Sequence, residues 1–261
     1  MVRDMVEGKK MEADFGFRRV PVDEKATLVG DVFDRVATRY DLMNDVMSAG
    51  VHRLWKRALI DSLRPRKDAH LLDVAGGTGD IATRFLDQAA QNRARWSSAK
   101  ATLCDINPSM LGQGRDRMID RGVPGAVAWV CGDAEQLPFA DASVDAVTIA
   151  FGIRNVTKPR AALEEMRRVL RPGGQFLCLE FSHVATPGLE AIYEAYSFHV
   201  IPALGELIAQ DRDAYAYLVE SVRRFPDQDT FAGMIAGAGF GQVKFRNLSG
   251  GIAAIHSGWR T

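Results

Sequence analysis

The stretch Leu71-Leu72-Asp73-Val74-Ala75-Gly76-Gly77-Thr78-Gly79 decides how this chain is read. Residues 71–75 make a short apolar strand, 76–79 a glycine-rich turn, and the apolar spacing over 81–91 predicts a helix after it. A glycine turn at a helix N-terminus presents backbone N–H groups to a ligand and lets the ligand approach the main chain. Gly77-Thr78-Gly79-Asp80-Ile81-Ala82 also fits the dinucleotide pattern G-x-G-x-x-A, so the turn alone does not separate NAD from a smaller nucleoside.

Working outward, the same alternation repeats. Strands are predicted at 101–106, 127–131, 144–151 and 175–181, with helices at 108–121 and 158–170, the latter ended by Arg171-Pro172-Gly173-Gly174. Repeated β-α-β order means a parallel sheet with helices on both faces. Two last strands, 243–248 and 252–256, are joined through Ser249-Gly250-Gly251 and predict an antiparallel hairpin. Upstream, Leu28, Val29, Val32, Phe33, Val36 and Tyr40 mark one face of a helix over 24–40. A second helix is expected at 52–63, with Asn44 and Ser48 as caps before it. Residues 187–224 read as a helical interruption, with Leu189, Ile192, Tyr193, Tyr196, Val200, Leu204, Leu207 and Ile208 along one stripe, and 228–239 as a further short helix. The expected fold is α/β: a seven-stranded, mostly parallel sheet, helices on both faces, a closing hairpin, and added N-terminal and inserted helices. The expected layout is one domain: an N-terminal tail and helical cap (1–67), a cofactor-binding core (68–182), a helical substrate-side insertion (183–240) and closing strands (241–261).

Composition excludes several classes. The 261 residues carry 33 Lys+Arg against 33 Asp+Glu, which argues against broad nucleic-acid binding. Cys104, Cys131 and Cys178 are too few and too scattered for a disulfide framework or a zinc site; buried reduced thiols are expected, and no metal. Residues 1–29 balance acids and bases and lack the apolar core of a secretory signal. No apolar run approaches the ~20 residues of a membrane span, so any membrane contact is expected from the side. The expected location is cytoplasmic, peripheral at an inner membrane.

Three carboxylates choose the ligand. Asp73 stands where a pyrophosphate would be repelled and a cationic amine attracted. Asp105 ends the second strand, where a carboxylate takes a ribose diol. Asp133, in Gly132-Asp133-Ala134, follows the third strand, within reach of an adenine amine. Amine, diol and adenine together describe S-adenosylmethionine. The cofactor residues expected are Asp73, Gly76, Gly77, Thr78, Gly79, Asp105, Ile106, Asp133, Ala134 and Ala150, and the expected product is S-adenosyl-L-homocysteine.

Asp73–Gly79 and Leu170–Gly174 resemble class I, Rossmann-like methyltransferases. Motifs outside the cofactor loop are more specific. Tyr40-Asp41-Leu42-Met43-Asn44-Asp45-Val46-Met47-Ser48, His52-Arg53-Leu54-Trp55-Lys56, Phe151-Gly152-Ile153-Arg154-Asn155-Val156-Thr157 and Glu180-Phe181-Ser182 resemble the ubiquinone/menaquinone biosynthesis C-methyltransferases. So do Tyr196-Ser197-Phe198, Tyr215–Leu218, Arg224-Phe225-Pro226 and His256-Ser257-Gly258-Trp259-Arg260, from about residue 15 onward. Two features depart from that pattern: Ala150 stands where relatives carry Ser or Asn before Phe-Gly, and 92–100 is a basic insertion.

The resemblance implies methyl transfer to a ring carbon of a polyprenylated hydroquinone, either a 2-polyprenyl-6-methoxy-1,4-benzoquinol, a demethylmenaquinol or both. A ring carbon becomes nucleophilic when a phenol of pKa about 10 loses its proton. Arg154 and Asn155 follow the fourth strand, where sheets of this kind hold ligands. Arg154 is expected to stabilise the phenolate, directly or through water, Asn155 to orient a ring oxygen, and Tyr40 to bond the substrate oxygen. His52, His199, Asp41 and Asp211 are read as structural, and the stripe over 187–224 as core or as a groove for the isoprenoid tail. Rival readings are a methyltransferase of another lipid or small molecule, an organising subunit of a quinone-synthesis complex that binds the cofactor, and an NAD-dependent enzyme. A homodimer is left open.

Overall fold

A computed structural model describes residues 11–36, 44–45, 47–48, 50–91, 98–122, 127–197, 203 and 212–261. Tyr40, Asp41, His199, Asp211, most of the 92–100 insertion, and Val200, Leu204, Leu207 and Ile208 of the stripe lie outside these residues.

The expected strand becomes β3 (His70–Val74), preceded by α2 (His52–Leu63) and followed by α3 (Asp80–Gln91). Next come β4 (Lys100–Asp105), α4 (Pro108–Asp120), β5 (Val127–Cys131), β6 (Val144–Ala150), α5 (Pro159–Val169) and β7 (Leu170–Phe181). The sheet order is β5-β4-β3-β6-β7-β9-β8, where β8 is Gly241–Leu248 and β9 Ala253–Trp259. The first five strands are parallel, and β9 enters antiparallel between β7 and β8. Seven strands and the closing hairpin therefore stand as the sequence predicts.

Successive side chains of a strand point to opposite faces, and in β3 both faces are covered. Leu71 joins a core with Trp55 and Leu59 of α2 and Ile81 and Phe85 of α3; Leu72 and Val74 join a second core with Leu163 and Met166 of α5. That second core also takes Phe231 and Ile235 of α8 (Gln228–Gly237). Leu71, Leu72 and Val74 are the apolar residues that such double burial selects.

The structure differs from the sequence reading in several places. β7 begins at Leu170, because Leu170 pairs with Val144 before a register shift absorbs Arg171-Pro172-Gly173-Gly174. Helix α1, described over Val22–Val36, begins two residues before the expected 24; residues 37–40 of the expected helix lie outside the described residues. Ahead of it stands an unexpected hairpin, β1 (Glu12–Phe15) and β2 (Arg18–Pro21), too short and polar to show alternation. It is anchored on α7 (Arg212–Arg224): the Phe15 and Tyr217 rings stack at 4.3 Å, and the Phe17 N–H donates to Glu220 Oε2 at 3.0 Å. Finally, Cys104 and Cys178 are buried but Cys131 is exposed, since β5 is the sheet edge.

Within the interruption, α6 (Leu189–Ala195) confirms helix near Leu189 and Tyr193. The cap of α2 is Val51, which makes no side-chain bond, rather than Asn44 or Ser48; Ser48 Oγ accepts the His52 N–H at 3.1 Å from one turn back.

Candidate active site

The sheet order reverses beside β3: β4 lies on one side of it and β6 on the other. The loops leaving β3 and β6 therefore part and open a crevice, the place where such sheets bind ligands. Both loops turn sharply at once, with Ala75 at φ 50° and Phe151 at φ 58°. A left-handed non-glycine residue costs of order 1–3 kcal/mol and persists only where its surroundings enforce it. Gly152 permits the two loops to touch, because a Cβ there would sit 2.6 Å from the Ala75 Cβ.

Above the crevice lies a cavity of about 580 Å³. One wall is the expected cofactor side, with Gly77, Asp105, Ile106, Asp133 and Ala134; the opposite wall is the apolar face of α1, with Ala26, Val29 and Phe33. Phe151, Gly152 and Asn155 close it between them. Asp105 Oδ2 accepts the Gly77 N–H and Oδ1 the Asn107 N–H, each at 2.9 Å. Burial pushes its pKa up, and these bonds oppose the rise. A carboxylate oxygen accepts more than one bond, so both retain capacity for hydroxyls. Asp133 is exposed at the rim, its Oδ1 accepting the Glu135 N–H at 2.8 Å, and the half-exposed Ile106 offers an apolar face for a base.

A second, small cavity of about 20 Å³ shares Ala75 and Gly77 with the large one and is lined by Asp73, Gly76, Thr78 and Ala150. Asp73 is wholly buried. Its Oδ1 accepts the Thr148 hydroxyl at 2.7 Å, while its Oδ2 has no hydrogen-bond partner among the described residues. Burial raises its pKa to about 7, with the Thr148 bond opposing. An unpartnered buried carboxylate oxygen is costly and rare; beside a glycine cradle it calls for a cationic donor. The residues present thus fit S-adenosylmethionine.

Nine of the ten expected cofactor residues line one of the two cavities. Gly79 is the correction. It faces neither; a Cβ there would meet Leu103, Met118 and Trp129 at 3.2–3.3 Å, so its role is close packing of α3's start on the core.

On the reaction side Arg154 is also corrected. It does not line the large cavity. Its side chain is buried and committed to Glu180 Oε1 at 2.6 Å, the Phe151 carbonyl at 2.7 Å and Ser221 Oγ at 3.3 Å. The reason is Glu180: a carboxylate wholly buried at the end of β7, its pKa pushed up by burial and opposed by the guanidinium, needs a cation beside it. Asn155 does line the large cavity. Its Oδ1 accepts the Tyr217 hydroxyl at 2.9 Å, which leaves its amide N–H groups as donors toward the cavity. Lys25 of α1 donates to the Val156 carbonyl at 3.1 Å and ties the apolar wall to this loop. Glu180, Ser221, Tyr217 and Lys25 were not singled out as site residues. Glu180 and Tyr217 stand in stretches that carry the resemblance, Glu180-Phe181-Ser182 and Tyr215–Leu218, whereas Ser221 and Lys25 lie outside them. His52 is structural as read: burial lowers its pKa to about 4, and its Nδ1 meets Ser48 Oγ at 3.1 Å.

A sheet reversed beside β3, with a glycine turn there and an antiparallel closing hairpin, is the fold of class I methyltransferases. Solved structures agree on the fold. The putative methyltransferase in a complex with the Haloferax volcanii Trm112 activator superposes with TM-score 0.62 at 18% identity, covering 89% of this chain and 97% of that one. A SAM-dependent methyltransferase from Aquifex aeolicus gives 0.56 at 13%, covering 79% and 89%. More particularly, the chain belongs to the ubiE/COQ5 methyltransferase family, whose profile matches residues 21–260. It is 57% identical over 256 residues to the ubiquinone/menaquinone biosynthesis C-methyltransferase UbiE of Paracoccus denitrificans, covering 98% of this chain and all of that one. It is 59% identical over 249 residues to the protein of that name from Methylobacterium nodulans, covering 95% and 96%.

Proposed function

We propose that this enzyme transfers a methyl group from S-adenosylmethionine to a ring carbon of a polyprenylated quinol in ubiquinone or menaquinone biosynthesis. The observation that carries the reading is the continuous cavity that joins the Asp105 cradle, past Asn155, to the apolar face of α1. A ligand with a charged nucleoside end fits one wall, and a partner with a hydroxylated ring and an apolar tail fits the other.

When bound, the cofactor supplies an electrophilic methyl group. The chain's task is to hold the acceptor carbon in line and to favour the phenolate. Asn155, fixed by Tyr217, donates to a ring oxygen and lowers its proton affinity. Arg154 acts behind it as a positioning residue: its pairing with Glu180 and its bond to the Phe151 carbonyl hold the loop that carries Asn155. Tyr40 is retained as a bond partner of the substrate oxygen on the strength of the sequence motif. Benzoquinol and naphthoquinol acceptors both satisfy this chemistry. Peripheral contact with a membrane, from the side of α1 and the helical insertion, would deliver the isoprenoid tail; among the described residues no helix is long and apolar enough to span.

The test is a methyl-transfer assay with both reduced quinol types, paired with quinone profiling of a deletion strain. Methylation of at least one quinol and accumulation of its demethyl precursor are expected. Cofactor binding without turnover of either quinol would favour an organising subunit instead.

A further inference from the structure

Asn155 can orient a ring oxygen only while its own amide is held, and its partner Tyr217 lies on α7, 62 residues away. What covers the Tyr217 ring comes from the N-terminal hairpin. Phe15 of β1 is buried and stacks on it with an interplanar angle of 22°. The Arg18 guanidinium lies 5.2 Å from the centre of the same Phe15 ring. A two-stranded hairpin is marginal by itself in water, so the place of β1 and β2 depends on what they lean on. They lean on α7: Gly16, at φ 59°, brings the turn so close that a Cβ there would overlap Glu220 Oε2. The same segment meets the Asn155 loop a second time. Met11 and Val22, at the two ends of the hairpin, are joined by a backbone hydrogen bond of 2.9 Å and line the large cavity. Lys25, in the first turns of α1, donates to the carbonyl of Val156, the residue next to Asn155. Burying an ammonium is costly unless acids face it, and Asp14 of β1 and Glu135 do so. β1 thus contributes to both arms: Phe15 to the Tyr217 ring, and Asp14 to the charge of Lys25.

We infer that Phe15 is a positioning residue for methyl transfer: by covering the Tyr217 ring it fixes the hydroxyl that turns the Asn155 amide toward the acceptor. The inference rests on the role given to Asn155 above and extends it to a residue that lines neither of the two cavities. It gives the hairpin a purpose besides packing. The segment that walls the acceptor side of the cavity also sets the donor that the acceptor meets.

Steady-state methyl transfer by the full chain, with the quinol that wild type accepts, tests this in a double-mutant cycle. Phe15→Leu keeps apolar bulk but not the flat ring. Its turnover number should fall about threefold to tenfold, within the range that an aromatic pair spans. The KM for quinol and the calorimetric affinity for S-adenosylmethionine should stay within about twofold of wild type. In Tyr217→Phe, where the hydroxyl is gone, adding Phe15→Leu should lower turnover by less than about twofold more. If Phe15→Leu fails to fold, Gly16→Ala lifts the turn from Glu220 without touching the core and should show the same loss and the same coupling. Losses that multiply in the double variant overturn the inference. So does full turnover in a Phe15→Leu protein that has lost only melting temperature, and so does an equal loss of cofactor affinity. If Tyr217→Phe alone keeps wild-type turnover, the role of Asn155 falls and that of Phe15 with it. If wild type methylates neither quinol, the function proposed above falls before either.

Discussion

Two buried carboxylates, Asp73 on β3 and Glu180 on β7 either side of β6, differ in one respect. Glu180, behind the reaction side, has its guanidinium partner at 2.6 Å and two backbone N–H groups, from Phe181 and Arg154. Asp73, at the cofactor side, has a hydroxyl on one oxygen and, among the described residues, no partner on the other. Burial pushes both pKa values upward. The difference teaches which charge the fold satisfies internally and which it leaves for a ligand. Glu180 organises the loop that carries Asn155, whereas Asp73 is finished only when an amine arrives.

The strongest way to break this contrast is Arg154→Ala. It strands Glu180, and loss of one partner of a buried pair costs about 3–5 kcal/mol. Denaturant unfolding should show that loss, and adding Glu180→Gln should recover much of it. An Arg154→Ala protein as stable as wild type, but inactive, would instead make the arginine a direct catalytic group. Next in size is Asp73→Asn. Cofactor affinity should fall by about 1.5–3 kcal/mol, the range for hydrogen bonds to charged groups. The ligand-free protein should be no less stable, since a costly buried carboxylate has been removed. Affinity within twofold of wild type would show Asp73 to be an ordinary core residue. Smallest is Tyr217→Phe, which frees the Asn155 amide to rotate. Turnover should drop with cofactor affinity unchanged, and stability should fall by about 0.5–1.5 kcal/mol. An unchanged turnover number would remove Asn155's orientation from the mechanism.

Much of the sheet was legible, because apolar strands and glycine turns are local signals. Leu71–Gly79 alone placed β3, the cradle and the start of α3. The Asp105 and Asp133 positions followed from where strands end. What escaped the sequence was non-local. Nothing near Arg154 announces that Glu180 and Ser221, 26 and 67 residues away, will absorb its guanidinium. Gly79 belongs to the same pattern as its neighbours, and only the approach of Leu103, Met118 and Trp129 shows that it faces the core. The β1–β2 hairpin was missed for a similar reason: Phe15 is fixed by Tyr217 on α7, not by its own sequence neighbours.

The pH dependence of cofactor binding bears most directly on the contrast between the two carboxylates. Without ligand Asp73 titrates near 7, against 3.8 for the ordinary side chain. The unfolded chain is therefore ionised above about pH 4, while the folded site keeps its proton until about pH 7. That raised pKa makes ligand-free stability fall as pH rises through this window. A bound ammonium reverses the preference and favours the carboxylate, so binding below pH 7 must expel a proton. Lys56, Asp80 and Asp105 face the same group, and they set where the midpoint falls rather than the sign. Calorimetry from pH 5.5 to 7.5 in buffers of different ionisation heat should show affinity levelling off near 7 and weakening below it, approaching tenfold per pH unit, with a proton released on binding. Asp73→Asn should show neither the slope nor the released proton. Identical pH profiles for wild type and Asp73→Asn would contradict the assignment of the open carboxylate to the cofactor's amine.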